Sequence, residues 1–283
     1  MTLDIDYLRQ WIGRRETASE TVTAALVARF AATFDQDLHE GDDIVPRMLH
    51  WCLAQPSVPT SALAIDGHPA RGGFLPPVPM PRRMWSGGAL TFHSEIRVGE
   101  VVTRHSSIED ITIKEGRSGT LCFVTVCHEL MCDDRAILSE RQEIVYRESE
   151  AARSQIVATP KPAPTVPAPE GAHRRVVQPS APLLFRYSAL TFNAHRIHYD
   201  TPYSEVDENY PGLIVHGPLQ ATLLAQLAQS VLGAPPARLS FRSVSPLFDT
   251  AEFALNATER EGGLNLWTSY VGGPVAMEAR VER

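Results

Sequence analysis

The segment 217-GPLQATLLAQLAQSVL-232 decides the fold of this chain of 283 residues. Its apolar residues recur with helical spacing and together cover most of the circumference of the predicted helix. The main stripe contains Leu219, Leu223, Leu227 and Val231, and Leu224, Ala228 and Leu232 widen it. A surface helix would keep a polar face, so this pattern predicts a helix that is buried on nearly all sides.

Strand patterns follow this helix with no further helical pattern between them. Glu261-Gly262-Gly263 lies between two of them and is a hairpin signal. The four patterns cover about residues 238–247, 250–259, 264–271 and 275–282. A buried helix followed by consecutive strands predicts a sheet that curls around the helix.

The first half of the chain repeats this order of elements. Helical patterns lie at 21–34 and 43–55, and the turn KEGRSG at 114–119 joins two strands as a hairpin would. The strand patterns cover about residues 85–97, 100–113, 119–131 and 136–147. His39 and Gly41 also align loosely with His216 and Gly217. The sequence therefore suggests an internal duplication, with an α+β fold of two helix-in-antiparallel-sheet units.

A segment rich in proline and alanine separates the two halves. TPKPAPTVPAPEG contains Pro160, Pro162, Pro164, Pro167 and Pro169. Alternating proline and alanine favours an extended, semi-rigid spacer. We therefore predict an N-terminal unit at 1–150, a linker at 151–181 and a C-terminal unit at 182–283.

Composition and charge exclude several classes of function. The net charge of −7 argues against a nucleic-acid partner, which normally needs a basic face. No apolar run approaches the roughly 20 residues of a membrane span. The N-terminus, MTLDIDYLRQ, lacks the basic and apolar regions of a signal peptide. The four cysteines have no CxxC spacing, and we expect buried free thiols in a cytoplasmic protein.

The stretch 191-TFNAHRIHYD-200 gathers residues that transfer protons. It follows the short apolar run YSALT, which we interpret as strand-like, and it precedes a turn rich in tyrosine, proline and glycine. If Ile197–Tyr199 is extended, His198 and Asp200 lie on one side of the strand. This concentration of imidazole and carboxylate groups indicates a catalytic loop.

Taken with 210-YPGLIVHGPLQATLLAQL-227, this stretch resembles the MaoC-like hydratases and dehydratases of the hotdog fold. The resemblance extends to the type 2 hydroxyacyl-thioester dehydratases and to the mesaconyl-C4-CoA and itaconyl-CoA hydratases. MWSGG at 84–88, IKEGRSG at 113–119 and QEIVYR at 142–147 support it. The resemblance implies a double hotdog with continuous sheets. It also implies that the first unit has lost the catalytic loop and makes room for the acyl group.

The resemblance implies a catalytic pair in this loop, and the sequence departs from it. His198 fills the histidine position, but the aspartate position, five residues earlier, holds Asn193. An amide can orient water but cannot take its proton. We expect His198 to shuttle the proton and Asn193 to position the water, with Asp200 or His195 as alternatives for the missing group. Gly217, which begins the predicted helix, offers an unpaired N–H to the thioester oxygen.

Basic residues near this loop are candidates for binding the substrate. Arg196 suits a carboxylate or a phosphate of coenzyme A, or equally a carboxylate of the protein that locks the loop. The other candidates are His195, His216, Arg242, Arg82 and Arg83. We expect no metal and no cofactor beyond the coenzyme A of the substrate.

The resemblance implies a hydro-lyase and leaves its substrate open. One hypothesis is a hydratase for a short, branched, carboxylated enoyl-CoA, converting itaconyl-CoA or mesaconyl-C4-CoA to citramalyl-CoA. The alternatives are a 3-hydroxyacyl-thioester dehydratase for longer apolar chains, a hotdog thioesterase, or a non-catalytic acyl-binding module. A homodimer is expected, because edge pairing is common in this fold.

Overall fold

The structure is a computed structural model that describes residues 3–37, 43–116, 119–148 and 166–283. Strands make up most of the described elements. They are β1 (Arg15–Thr21), β2 (Arg82–Phe92), β3 (Val101–Gly116), β4 (Gly119–Cys132), β5 (Arg135–Arg147), β6 (His173–Val177), β7 (Arg238–Ser243), β8 (Phe253–Arg260), β9 (Gly263–Tyr270) and β10 (Val275–Glu282). The α-helices are α1 (Ile5–Arg9), α2 (Ala24–Thr33), α3 (Ala181–Leu190) and α4 (Gly217–Leu232).

All of these strands belong to one antiparallel sheet. Its order is β1-β3-β4-β5-β2-β7-β10-β9-β8-β6. The first five come from the first half of the chain and the last five from the second half. The two units therefore share a continuous sheet, as the resemblance implied, and they join where β2 pairs with β7.

Two glycines allow the units to meet at this join. Gly87 pairs with Arg242 and Gly88 with Phe241 across the two central strands. A Cβ atom on Gly87 would lie 2.7 Å from the carbonyl oxygen of Phe241, which is closer than a side chain tolerates. The glycines of the MWSGG motif therefore serve the close approach of the strands.

Helix α4 is the buried central helix that the sequence predicts. Leu219 and Leu224 are fully buried, and the helix packs against β7, β8, β9 and β10. The helix ends at Gly233, whose positive φ of 72° is the left-handed conformation that favours glycine at a helix C-terminus. The C-terminal unit is thus a sheet curled around one helix.

The described residues of the N-terminal unit include no helix as long as α4, and the helix predicted at 43–55 is wrong. This segment forms only a short 3₁₀ helix, Leu49–Cys52. Pro46 disfavours helical backbone in the residue before it, and Met48 adopts a positive φ of 74°. The space that a long helix would fill is partly taken by the cavity described below, which His50 and Trp51 line.

Three further elements differ from the sequence interpretation. YSALT was expected to be strand-like, but its residues lie in the last turns of α3 and just beyond it. Short apolar runs do not distinguish a buried helix from a strand, and Ser180, whose side chain accepts the N–H of Leu183, starts a helix here. The sequence patterns also missed β1 and β6.

Some sequence predictions fall outside the described residues. His39 and Gly41, on which the alignment of the repeats partly rests, are among them, as are residues 117–118 of the KEGRSG turn. The predicted linker at 151–181 is described only from residue 166 onward, and that part includes β6, which pairs with β8. Within the described residues, no helix is long and apolar enough to cross a membrane.

Replacing Leu224 with alanine should destabilise the fold by roughly 2–5 kcal/mol, because it leaves a cavity at the centre of the C-terminal unit. Urea unfolding followed by circular dichroism measures the change. Val206→Ala is the control, since Val206 is 81% exposed and its truncation should cost almost nothing. Equal unfolding midpoints for the two variants would contradict the central position of α4.

Candidate active site

A cavity of about 520 Å³ is lined by residues of both units. From the C-terminal unit it is lined by residues of the segment 191–200, called here the histidine-rich loop, and by the first turn of α4. From the N-terminal unit it is lined by parts of β2, β4 and β5 and by the segment before β2. The candidate site therefore lies at the join between the units.

The histidine-rich loop is held in shape by hydrogen bonds to its own backbone. The Asn193 N–H donates to the carbonyl of Ser188, and the Asn193 side chain accepts the N–H of His195 at 3.0 Å. Residues Arg196–His198 then form a 3₁₀ turn. The prediction of an extended Ile197–Tyr199 is therefore wrong. Asn193 still lines the cavity, and its side-chain oxygen stabilises the turn that presents His198.

His198 is a buried imidazole with a defined tautomer. Its Nδ1 lies 2.8 Å from the carbonyl oxygen of Ile214, which only accepts hydrogen bonds, so Nδ1 carries the proton and Nε2 keeps its lone pair. Burial lowers the pKa of His198 to about 4, although the bond to Ile214 opposes this shift. At neutral pH the ring is an uncharged proton acceptor at the wall of the cavity.

His216 packs directly on this ring. The two imidazoles are stacked, with centroids 3.6 Å apart and planes inclined by 17°. His216 Nε2 lies 2.8 Å from the hydroxyl of Ser188, and the ring is almost fully buried. Burial, and then the neighbouring His198, lower the pKa of His216 well below its usual value. His216 therefore fixes the plane of the catalytic candidate.

Gly217 presents a backbone N–H to the same cavity. It begins α4, so its N–H has no acceptor within the helix and lies at the positive end of the helix dipole. An added Cβ atom would meet no described atom closer than 3.7 Å, and the φ angle of Gly217 is not positive. Protein packing does not require glycine at this position. The missing side chain instead leaves the N–H open to a ligand atom in the cavity.

Asp66 and His68 of the N-terminal unit join the C-terminal loop, and the sequence interpretation missed both. The rings of His68 and His195 pack with centroids 4.0 Å apart and planes tilted by 40°, and His195 lies edge-on to His198 with centroids 5.4 Å apart. Asp66 accepts a hydrogen bond from His68 Nδ1 at 3.0 Å. The only sequence signal is an Asp-Gly-His-Pro turn, which gives no indication of its partner in space.

Potential ligand atoms of Asp66, His68 and His195 lie within 4.8 Å of one another, so these residues could hold a metal ion. Two observations favour a hydrogen-bonded cluster instead. The Asp66 carboxylate already binds His68 Nδ1, and the two imidazoles pack ring against ring, with centroids 4.0 Å apart and planes inclined by 40°. His195, His198 and His216 form no better metal site. Two of their ring nitrogens, His198 Nδ1 and His216 Nε2, already have hydrogen-bond partners.

Arg196 and Asp200 lock the loop and do not line the cavity. The guanidinium of Arg196 pairs with Asp200 at 2.8 Å and stacks over the ring of Tyr203. Asp200 also accepts the N–H of Tyr203. The structure therefore corrects two sequence predictions: Arg196 as a substrate ligand and Asp200 as a partner of His198. The loop-locking alternative for Arg196 agrees with the geometry.

The remaining arginine candidates differ in whether they line the cavity and in whether a carboxylate pairs with them. Arg242 lies on the exposed face of β7, paired with Glu278 at 2.9 Å, and does not reach the cavity. Arg82 lines the cavity, but its charge is paired with Glu208 at 3.0 Å. Arg83 also lines the cavity, and no carboxylate of the described residues lies within salt-bridge distance of it, although its charge helps the bonds to His68 to lower the pKa of Asp66. Its charge contributes, after burial, to lowering the pKa of His68 and of His195.

The part of the cavity in the N-terminal unit is polar. Glu140 is buried there and accepts hydrogen bonds from Trp51 at 2.9 Å and Gln142 at 3.0 Å. Burial raises the pKa of Glu140 to about 7, against the effect of these two bonds. Other polar residues at this end are Glu16, His50, Arg104, His128 and Arg147. A long apolar chain would form no hydrogen bond with these groups.

Comparisons with known proteins agree with this architecture. The family model for hydroxyacyl-thioester dehydratase type 2 matches residues 48–249. The mesaconyl-C(4)-CoA hydratase of Chloroflexus aurantiacus is 44% identical over 277 residues, which cover 96% of each chain. A mitochondrial hydroxyacyl-thioester dehydratase type 2 of Schizosaccharomyces pombe is 28% identical over 239 residues, which cover 77% of this chain and 78% of that one.

Solved structures confirm the double hotdog fold. HtdX from Mycobacterium tuberculosis has a TM-score of 0.67 at 22% identity and covers 94% of this chain and 98% of its own. A MaoC-like dehydratase from Phytophthora capsici has a TM-score of 0.70 at 12% identity, with 99% and 98% covered. A further Mycobacterium tuberculosis protein described as a double hotdog has a TM-score of 0.59 at 13% identity, with 95% of each chain covered.

The His198 ring should stay neutral between pH 7 and pH 5. Because burial depresses its pKa to about 4, protonation begins only as the pH approaches that value. Two-dimensional ¹H–¹⁵N spectra of the imidazoles report charge and tautomer, and His198→Gln assigns the signal. We expect a protonated Nδ1 throughout this range. A ring half-protonated near pH 6.5, or an Nε2–H tautomer, would contradict the assignment of His198 as a base.

Proposed function

The chain belongs to the hydroxyacyl-thioester dehydratase type 2 family, and from that premise we propose that it adds water reversibly to a short, branched, carboxylated enoyl-CoA. Its enzyme class is hydro-lyase. The proposed substrate is mesaconyl-C4-CoA, with itaconyl-CoA as a related candidate, and the product is citramalyl-CoA. The similarity to a mesaconyl-C(4)-CoA hydratase supports this substrate class.

His198 and Gly217 supply the two groups that hydration needs. His198 Nε2 takes a proton from water as the water oxygen bonds to the β-carbon, and it then returns that proton to the α-carbon. Negative charge develops meanwhile on the thioester oxygen. The Gly217 N–H and the positive end of the α4 dipole stabilise that charge.

The position of Arg83, which forms no salt bridge within the described part of the chain, is the observation that supports the substrate assignment. In mesaconyl-C4-CoA the free carboxylate is bonded to the β-carbon, so its binding group must lie beside the catalytic imidazoles. Arg83 lines the cavity, and its charge acts on His68 and His195. A guanidinium fork binds a carboxylate through two hydrogen bonds. We assign Arg83 as the carboxylate ligand, in preference to Arg82, whose charge Glu208 already neutralises.

The polar lining disfavours the alternative of a dehydratase for long apolar chains. A hydrocarbon tail that extends into the N-terminal unit would displace water from the polar groups of Glu140 and Arg104, which costs free energy although both groups already have partners in the protein. A short carboxylated acyl group stops near the reaction centre and avoids that cost. Coenzyme A enters the proposal only as part of the substrate, with no resident cofactor or metal. A homodimer and a cytoplasmic location stay predictions from the sequence.

The proposal is tested by incubating the purified protein with mesaconyl-C4-CoA, itaconyl-CoA and crotonyl-CoA. Loss of enoyl absorbance without release of free thiol indicates hydration, whereas release of thiol indicates a thioesterase. We expect hydration, fastest with a carboxylated substrate, and a loss of about 10²–10⁴-fold in kcat for His198→Ala. Thiol release, or no reaction with a carboxylated substrate, would contradict the proposal.

Arg83→Met should lower kcat/KM for mesaconyl-C4-CoA about 10- to 100-fold, because it removes a charge-assisted contact. Crotonyl-CoA has no carboxylate, so its slower turnover should not change. Arg242→Met is the matched control, since the same side chain is lost there from an exposed pair with Glu278. An equal loss with both substrates would show that Arg83 acts on the fold or on catalysis and not on the carboxylate.

Gly217→Ala should fold normally and lose activity, by up to about 10²–10³-fold in kcat. The new methyl group fits the protein but blocks the approach of the thioester oxygen to the N–H. Gly73→Ala is the control, because a Cβ atom there would meet nothing within 4 Å. Thermal unfolding and steady-state kinetics measure both effects. Full activity of Gly217→Ala would remove this N–H from the mechanism.

A further inference from the structure

We propose that Asp66 and His68 of the N-terminal unit form the second water-binding group of the active site. They fill the role expected of a carboxylate at position 193, where this chain has the amide of Asn193. His68 accepts a hydrogen bond from the attacking water, and Asp66 fixes the tautomer that makes this possible. The inference rests on the proposed hydration and identifies a further residue for it.

The turn that carries these residues is docked on the histidine-rich loop. The backbone N–H of Arg196 donates to the carbonyl of Asp66 at 2.9 Å, and its guanidinium donates to the carbonyl of Ile65 at 3.1 Å. Gly67 lies against Ala194 with a φ of 89°, and a Cβ atom there would fall 1.8 Å from the Ala194 carbonyl oxygen. Only glycine permits this approach, so the position of the turn is specified by the sequence.

Asp66 orients His68 through both of its carboxylate oxygens. One accepts the backbone N–H of His68 and the other accepts Nδ1, each at 3.0 Å. A carboxylate only accepts hydrogen bonds, so Nδ1 of His68 carries the proton and Nε2 keeps its lone pair. Burial alone would raise the pKa of Asp66, but the bonds to His68 bring it down to about 2. The pair is thus an ionised carboxylate behind a neutral imidazole.

His68 reaches the reaction centre and lines the cavity. Its ring packs against the tilted ring of His195, which contacts His198. Burial and the charge of Arg83 lower the pKa of His68 to about 4, so it is neutral when water binds. The cavity wall therefore holds two neutral imidazoles, His68 and His198, each with Nδ1 occupied by an acceptor and Nε2 available.

The other candidates for the second group do not fit this role. Asn193 uses its side-chain oxygen to accept the N–H of His195. Asp200 is paired with Arg196 away from the cavity. His195 has no described carboxylate or carbonyl partner that would fix its tautomer. Among the described residues that line the cavity, His68 alone is an imidazole with a hydrogen bond to a carboxylate, since His50 Nε2 lies 3.7 Å from Glu140.

Hydration consumes one water molecule, and all of its atoms are found in the product. As the water oxygen bonds to the β-carbon, the π electrons of the double bond move onto the thioester oxygen. One O–H bond breaks, and its proton passes to His198 Nε2 and then to the α-carbon. The second O–H stays intact, donates a hydrogen bond to His68 Nε2 and becomes the hydroxyl of the product.

Asp66→Asn is the sharpest test, because the amide oxygen can still accept the His68 backbone N–H. The amide N–H₂ would face Nδ1 and reverse the tautomer, so that Nε2 gains a proton and no longer accepts from water. We expect kcat with mesaconyl-C4-CoA to fall about 10²-fold for His68→Asn and at least about tenfold for Asp66→Asn, with KM little changed. Ile65→Ala, in the same turn, should leave kcat unchanged.

A second readout does not depend on turnover. In ¹H–¹⁵N spectra the His68 ring should carry its proton on Nδ1 in the wild type and on Nε2 in Asp66→Asn. A purely structural turn would show the tautomer reversal without a loss of kcat at an unchanged unfolding temperature. This readout decides the orienting role of Asp66 even where His68→Asn fails to fold.

The outcomes separate the two proposals. Wild-type hydration with unchanged kcat in both variants overturns the role of His68 and leaves the hydratase in place. Absence of wild-type hydration overturns the function, and the role of His68 with it. An Nε2–H tautomer in the wild type overturns the role of His68 whatever the activity.

Discussion

The contact between the Ile65–Gly67 turn and the histidine-rich loop is the constraint on which the site depends. Two hydrogen bonds from Arg196 and the bare backbone of Gly67 fix one unit against the other at this point. Because the loop also carries His198, any shift of the turn moves the imidazoles relative to each other. The N-terminal unit, expected only to make room for the acyl group, therefore also contributes to the chemistry.

Burial gives this site its electrostatic character. A row of stacked or touching imidazoles cannot hold several charges in a desolvated cavity, so the rings stay neutral and act as acceptors. Arg83 places a positive charge beside the imidazoles, which suits an anionic acyl group. A neutral base beside a fixed cation allows the substrate carboxylate to bind without protonating the base that must activate water.

Most of the fold was predictable because its signals are local. The all-round apolar pattern around Leu224 predicted α4, and eight strand patterns were found close to their expected bounds. The failures have physical causes: Pro46 and Met48 reduce the helix predicted at 43–55 to a short turn. His198, Asn193 and Gly217 follow from a motif, and all three line the cavity. Asp66 and His68 were missed because only the tertiary contact with residues 194–196 gives them a role.

A double-substitution cycle between positions 68 and 193 tests the central claim most directly. Asn193→Asp can keep the hydrogen bond to the His195 N–H while it supplies the carboxylate that position 193 lacks. If His68 fulfils that function, Asn193→Asp should restore much of the kcat lost in His68→Asn, measured with mesaconyl-C4-CoA. If the losses in kcat of the two single variants simply multiply in the double variant, with no restoration, the claim that the two units share one reaction centre is contradicted.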